Sequence, residues 1–587
     1  MIIMGLSGLP HAQDRLARDT PAIDRLDARN CQGLDSAAAL VVNGRVVAAA
    51  AEERFSGDKG TGRLPLGAID YCLAAAGIGP QDVDVVAHGF NYDRYRRVFA
   101  GSLDYFDQVL TGRTVVDGLS KHGWDGVADR FQPVDHHLAH AASAYLPSGF
   151  GSALCVVSDG MGETESLSVY HAQDGQLEKL LSQPISASLG FLYSICTRFL
   201  GFSSNSDEYK VMGLAAYGDP APYRALFADL VQFDTETGGV RVNWPRGSLR
   251  SPELGYPKAM AFLAKAAFPV ASQENGHRPE HADFAAALQA RLTTVLTELV
   301  SYWLARTGES SLCLAGGTFL NCKANQSLCD LPTVDRVFVQ PAAGDDGTSL
   351  GAALYASHQR GVPYVGPSSG FDPYSGPSYS TEQVHEELER AASRRFRWRH
   401  VGLTSEYFSA AAADLAADRI IGWFHGRMEF GPRALGNRSI LGLPKGDRIK
   451  ERINSMVKFR EPFRPFAPAV LEEDCDRIFQ TRRLSPTAYM LCTAQVRDEH
   501  RSAVSGIVHA DGSARVQVVR HETNDVFWTL LSEVKRRTGF GCVVNTSFNV
   551  KGQPLIMAPS MAIETFLRTS MDRLYIEGFL VEKTSDQ

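Results

Sequence analysis

One pattern occurs twice in this chain and limits its fold more than any composition figure. Residues 33–51 read G-L-D-S-A-A-A-L-V-V-N-G-R-V-V-A-A-A-A. An Asp35-Ser36 turn feeds an apolar strand, Asn43-Gly44 supplies a tight turn, and a second strand follows. Asn-Gly suits a two-residue hairpin because both central residues need positive φ. Residues 153–182 repeat the layout: strand L-C-V-V, turn S-D-G-M-G-E-T-E, strand S-L-S-V-Y, an Asp174-Gly175 turn and strand Q-L-E-K-L-L. A duplicated unit predicts two related halves of one α/β domain.

Around these copies lie helical stretches and buried strands. Over 282–307, Phe284, Leu288, Leu292, Val295, Leu299 and Trp303 recur at three- and four-residue spacing, and Gly308 ends the run. The strand S-L-C-L-A enters Gly316-Gly317, and R-V-F-V-Q enters P-A-A-G-D-D-G-T-S-L-G-A-A. Residues 361–380 carry prolines and glycines too densely for a helix or central strand, so they predict a linker between domains 1–360 and 381–587. At 587 residues the chain exceeds one core in any case.

Composition excludes several classes. A net charge of −7 disfavours general affinity for nucleic acid or anionic membrane. The ten cysteines are scattered with no C-x-x-C, which excludes zinc-ribbon spacing and suits reduced thiols in a cytoplasmic protein. The first residues carry no signal-peptide pattern, and no apolar run reaches the length of a membrane span.

Four turns, Asp35-Ser36, Asp159-Gly160-Met161-Gly162-Glu163, Gly316-Gly317-Thr318 and Gly344-Asp345-Asp346-Gly347, each follow or feed an apolar strand. Small residues there let backbone amides approach phosphate and carboxylates approach a metal. With the duplication, the set resembles an actin-like ATPase, in which two related halves clamp a nucleotide. In V-D-H-H-L-A-H-A-A-S, His136 and His140 share one helical face, while His137 is rotated away by about 100°. Asp159 and Asp345, at strand ends, are candidates to complete a His₂Asp₂ set. Mixed N/O ligation of that kind suits Fe(II), Mn(II) or Zn(II) alike.

The motifs H-H-L-A-H-A-A-S-A-Y, S-D-G-M-G-E-T, E-Y-K-V-M-G-L-A-A-Y-G, L-A-G-G-T-F-L-N and G-D-D-G-T-S-L-G-A-A resemble, in order and spacing, the nodulation-factor and antibiotic-tailoring O-carbamoyltransferases. The resemblance implies a TsaD-like first domain that ligates a divalent metal, such as Fe(II), through His136, His140, Asp159 and Asp345. It further implies that Lys210, Gly316, Gly317 and Asn321 lie near a nucleotide, and that Lys59, in E-E-R-F-S-G-D-K-G, is a site residue.

Beyond the linker, arginines crowd Gly/Pro-broken loops: Arg427, Arg433 and Arg438, then Arg460 and Arg464 beside Lys458, then Arg515 and Arg520. Guanidinium forks fit phosphate bidentately, although any one arginine can equally serve a surface ion pair. The K-x-R pattern, with Ser547 and Asn549 of a later S-x-N, resembles the YrdC-like fold. That likeness implies that Lys458, Arg460, Ser547 and Asn549 hold an adenylate, and that Arg433, Arg464 and Arg515 neutralise carbamoyl phosphate and pyrophosphate. The expected chemistry is activation of carbamoyl phosphate with Mg²⁺-ATP to carbamoyl-AMP, followed by carbamoyl transfer to a small hydroxylated acceptor.

One departure stands out. The family's His before the Asp-Ser turn, its proposed base, is replaced here by Leu34 at the end of a longer insertion, 9–34; His11 is a substitute candidate, and the insertion could instead shape the acceptor pocket. Two rivals are a tRNA- or protein-modifying relative, disfavoured by the acidic charge and the absent C-x-x-C, and a non-enzymatic actin-like ATPase, which leaves the arginines unexplained.

Overall fold

The computed structural model describes residues 1–584 except 25, 29–30, 98–102, 251–254, 273–275, 368–370, 393–394, 447, 459–460, 462 and 482–485. The chain divides into two units: Met1–Glu53 with Gly60–Phe371, and Arg54–Lys59 with Asp372–Gln587. The division falls inside the Pro/Gly-rich stretch, part of which is firmly held. Gly376 and Met428 bond backbone to backbone (2.9 Å), Met428 donates to the Pro377 carbonyl (3.0 Å) and Phe430 to that of Pro373 (2.8 Å).

The first unit contains two five-stranded sheets of one topology. In the first, Ile2–Ser7 is central, flanked by the antiparallel hairpin Ala37–Val42/Arg45–Ala51 on one side and the parallel strands Val85–His88 and Phe131–Pro133 on the other. In the second, Ser152–Gly162 takes the central place, with the hairpin Glu165–Gln173/Gln176–Pro184 on one side and the parallel Ser311–Ala315 and Arg336–Val339 on the other. The duplication expected from the sequence is thus present as two copies of one strand order, the α/β layout of an actin-like domain. Asn43 and Gly44 (φ 49° and 79°) and Asp174 and Gly175 (49° and 83°) have the positive angles that both turns demand. The long helix runs Pro279–Thr307 and is closed by Gly308 in the left-handed conformation.

Each half lends its closing helix to the other. His136–Tyr145, which follows the last strand of the first sheet, packs on Ser152–Gly162 and Ser311–Ala315 of the second; Asp346–Gln359, which follows the second sheet, packs on Ile2–Ser7 and Ala37–Val42 of the first. The two helices also face each other. Glycine makes both approaches possible: a Cβ at Gly5 would lie 1.9 Å from the Ser349 carbonyl oxygen, and one at Gly351 would lie 1.8 Å from that of Ala139.

The described residues of the insertion form helix Ala12–Asp19 and turns on either side of it. Gln13 accepts from the Gly62 amide (3.2 Å), and buried Asp27 pairs with Arg198 at 3.0 Å.

The second unit is a mixed eight-stranded sheet, in the order Phe396–His400, Phe579–Lys583, Arg573–Ile576, Ile421–Phe424, Arg438–Gly442, Cys542–Ser547, Ala467–Leu471 and Gln517–Val519, with a three-stranded sheet beside it. Period-two alternation sends Trp423, Leu441, Val543 and Tyr575 to a core with helices Ser405–Ala416 and Asp525–Thr538. Phe424, Ile440, Val544 and Leu574 face a second core with Thr381–Arg390 and Pro559–Arg568. Among the described residues, no helix is long and apolar enough to cross a membrane.

Candidate metal centre and polar cluster

In the first unit, His136 and His140 point from one helix face toward Asp159, near the end of strand Ser152–Gly162, and Asp345, the N-cap residue of helix Asp346–Gln359. The Nε2 atoms of the two histidines are 3.1 Å apart. His136 Nε2 lies 3.2 Å from Asp159 Oδ2 and 3.4 Å from Asp345 Oδ1; the corresponding distances from His140 Nε2 are 3.7 and 3.5 Å. Ligands about 2.1 Å from one ion stand about 3.0 Å apart at right angles and about 3.4 Å apart at the tetrahedral angle, so this spacing fits a first-row divalent metal. Two imidazoles and two carboxylates also have the right donor chemistry.

The surrounding contacts preset these donors. His136 Nδ1 lies 2.9 Å from the Gly89 carbonyl; donation of its proton there turns the Nε2 lone pair toward the acids. Asp159 Oδ1 accepts from the amides of Gly160 (2.7 Å) and Gly317 (3.4 Å), leaving Oδ2 for the histidines. Asp345 makes no side-chain cap to its own helix. Gly162 leaves room for the rings, since a Cβ there would lie 2.5 Å from His136 Cδ2.

Burial pulls the His136 imidazole down, but the Asp345 and Asp159 carboxylates outweigh it and hold it well above the ordinary histidine value. Burial pushes the Asp159 carboxyl up, but the His136 and His140 imidazoles beside it outweigh that and hold it well below the ordinary carboxylate value. Glu163, to which the sequence assigns a place in the turn but no role of its own, fixes the start of the helix: its Oε1 accepts from the amides of His136 (2.9 Å) and Asn91 (2.7 Å). Burial pushes its carboxyl up. His137 is fully buried on the adjoining face of the helix, with Nδ1 2.8 Å from Ser168 Oγ; burial lowers it to about 3.

The residues expected near a nucleotide sit as follows. Gly316 is left-handed (φ 98°) and a Cβ there would lie 2.2 Å from the Ser158 carbonyl oxygen, while Gly317 anchors Asp159. Asn321 caps helix Cys322–Cys329 and pairs with Gln289 at 2.9 and 3.1 Å. Buried Lys210 pairs with Asp207 at 2.9 Å. His11 is exposed at the N-cap position of helix Ala12–Asp19. Lys59 is exposed and counts with the second unit.

In the second unit, Lys458, Ser547 and Asn549 come together although they are some ninety positions apart in sequence. The buried Lys458 ammonium donates to the Ser547 carbonyl, to Ser547 Oγ (3.2 Å), to the Asn549 carbonyl (2.9 Å) and to Asn549 Oδ1 (2.7 Å). Arg460 lies outside the described residues. Arg464 is half-buried and 3.5 Å from Glu461; Arg433 and Arg515 are half-buried on their loop and strand end. Three other arginines of the crowded loops are structural. Arg438 is fully buried and donates to the carbonyls of His425, Asn437, Pro377 and Gly426 at 2.8–3.1 Å. Arg427 donates to the Ser375 carbonyl (2.7 Å), and Arg520 pairs with Glu472 (2.7 Å).

The chain also matches known families. The family described as Carbamoyltransferase N-terminus matches residues 111–354, and that described as Carbamoyltransferase C-terminus matches 412–583. The chain is 36% identical to nodulation protein NolNO of Sinorhizobium fredii, over 95% of this chain and 80% of that one. It is 39% identical to nodulation protein NolO of Bradyrhizobium diazoefficiens, over 77% and 79%. Nodulation protein U of Rhizobium fredii is 27% identical over 98% of this chain and 97% of its own.

Proposed function

The chain belongs to the carbamoyltransferase family, and we propose that it works in two steps as an ATP-dependent O-carbamoyltransferase acting on a small hydroxylated natural product. The observation that carries this reading is that each unit has its own polar centre, one fit for a metal and one built around a buried ammonium. We assign activation to the second unit, read as YrdC-like, and transfer to the first.

In activation, water hydrolyses carbamoyl phosphate: its oxygen forms the new bond, the bond between the carbamoyl and phosphoryl groups breaks, and carbamate and phosphate result. A carbamate oxygen attacks the α-phosphorus of Mg²⁺-ATP, and pyrophosphate leaves with the bonding pair of the broken P–O bond. Neutral oxygens of Ser547 and Asn549 hold the Lys458 ammonium without cancelling its charge, and exchanging one of these four acceptors for a phosphate oxygen brings its charge onto the nucleotide. Arg433, Arg460, Arg464 and Arg515 supply the remaining positive charge as pyrophosphate separates.

In transfer, the acceptor hydroxyl oxygen attacks the carbamoyl carbon, AMP leaves with its oxygen, and the hydroxyl proton passes to a base. Nitrogen donation deactivates a carbamoyl carbonyl, and a divalent metal held by His136, His140, Asp159 and Asp345, Fe(II) or another ion of that class, supplies the Lewis acidity that offsets it. Gly89 orients His136 for this task and Gly317 orients Asp159. Lys210, Gly316 and Asn321 lie in the same unit and are assigned to the AMP side, which the likeness of their motifs to the family's supports. The free cysteines suit a reducing, cytoplasmic setting.

Incubating the protein with ATP, carbamoyl phosphate and a panel of amino-sugar, macrolide and oligosaccharide acceptors tests the substrate class. A product heavier by one carbamoyl in place of hydrogen supports it. Carbamoylation of a macromolecule alone counts against it.

A further inference from the structure

Beside the four candidate ligands stands a histidine that helical phase removes from the set. His137 is fully buried, its Nδ1 2.8 Å from Ser168 Oγ, and Ser168 Oγ is 3.1 Å from Glu165 Oε2. Lys179 Nζ lies 2.8 Å from both oxygens of Glu165, and Ser182 Oγ donates to Oε1 at 2.8 Å. Proton arithmetic fixes the direction of this chain. The ion-paired Glu165 carboxylate only accepts, so the single hydroxyl proton of Ser168 goes to it. The Ser168 oxygen then accepts from His137, which puts the His137 proton on Nδ1 and its lone pair on Nε2. A doubly protonated ring would bury a second N–H with no acceptor.

His140 presents the complementary problem. Its Nε2 faces the acids and His136, so a ligating His140 carries its proton on Nδ1. Among the described residues, His140 Nδ1 and His137 Nε2 both lack a hydrogen-bonding partner. One is a donor and the other an acceptor, on one helix, with ring centroids 6.5 Å apart. Two hydrogen bonds of about 2.8 Å meeting near the tetrahedral angle span about 4.6 Å, a gap that rings so spaced can present. His136 has no such need, since Gly89 takes its Nδ1 proton.

We propose that His137 is the positioning residue for His140, through one buried water that accepts from His140 Nδ1–H and donates to His137 Nε2. The chain Lys179–Glu165–Ser168–His137 then fixes the tautomer of a ligand from the hairpin of the second sheet. This inference rests on the reading of His136, His140, Asp159 and Asp345 as metal ligands.

Cobalt(II) titration of the full-length protein, stripped of metal by chelation, tests it through affinity and the visible ligand-field band. His137→Leu is expected to weaken binding about 10- to 100-fold and shift the band, whereas His137→Gln, which keeps an acceptor, recovers most of the affinity. Ser168→Ala leaves the imidazole volume intact and decides the matter alone if His137→Leu does not fold: weaker cobalt binding supports the proposal, and unchanged binding overturns it. Wild-type affinity and band in His137→Leu overturn this inference while the metal reading stands. Failure of the wild-type protein to bind cobalt overturns the metal reading, and this inference with it.

Discussion

Gly351 and Ala139 bring two helices of the first unit together so tightly that a single added carbon would collide: a Cβ on Gly351 would lie 1.8 Å from the Ala139 carbonyl oxygen and 3.0 Å from Ser143 Cβ. One helix carries His136 and His140, and the other begins just after Asp345. The side-chain-free contact therefore sets the spacing of the candidate metal ligands, which come from both halves of the duplicated domain.

Gly351→Ala is expected to destabilise the protein by about 2–4 kcal/mol, because the obstacle is backbone and cannot rotate away. It should also weaken metal binding. Urea denaturation and cobalt titration of the same preparation check both effects.

The arginines of the second unit should separate by role. Arg438→Ala strips four backbone carbonyls of a buried donor and should cost at least about 3 kcal/mol in urea denaturation. Lysine should not rescue it, because one ammonium cannot reproduce the planar fork. Arg433→Ala should leave the fold intact and raise the KM for carbamoyl phosphate about tenfold or more.

His425 gives the second unit an acid-side weakness. It is buried, with Nε2 3.0 Å from the Tyr407 hydroxyl; burial and then the Arg438 charge hold the imidazole well below its ordinary value. Above about pH 6.5, folded and unfolded forms are both neutral and the group contributes nothing. As pH falls below that, the unfolded chain takes a proton that the folded one refuses, and stability is lost at up to about 1.4 kcal/mol per pH unit. Calorimetry should show a thermal midpoint that falls less steeply with acid in His425→Gln.

Local features were legible in sequence, because their information is local. Asn43-Gly44 and Asp174-Gly175 specify their turns, the 282–307 periodicity specifies a helix, and the spacing of His136 and His140 puts both on one face. The first central strand, I-I-M-G-L-S, went unread: a short apolar run has no period of its own and acquires its role only by pairing with Ala37–Val42 and Val85–His88. Spacing likewise could not separate Arg438 from Arg433, since the difference lies in which backbone carbonyls fold around each guanidinium. Glu163 and the His137–Ser168–Glu165 chain depend on tertiary neighbours, and Arg54–Lys59 joins the second unit from within the first half of the sequence.

Carbamoyl phosphate-dependent exchange of labelled pyrophosphate into ATP, followed in the wild-type, Lys458→Ala and Asp159→Asn proteins, tests the two-step account most directly. The account predicts exchange in the wild type, a loss of about a hundredfold or more in Lys458→Ala, and retention in Asp159→Asn alongside loss of acceptor carbamoylation. ADP in place of AMP as the nucleotide product, or exchange that survives in Lys458→Ala and vanishes in Asp159→Asn, would contradict it.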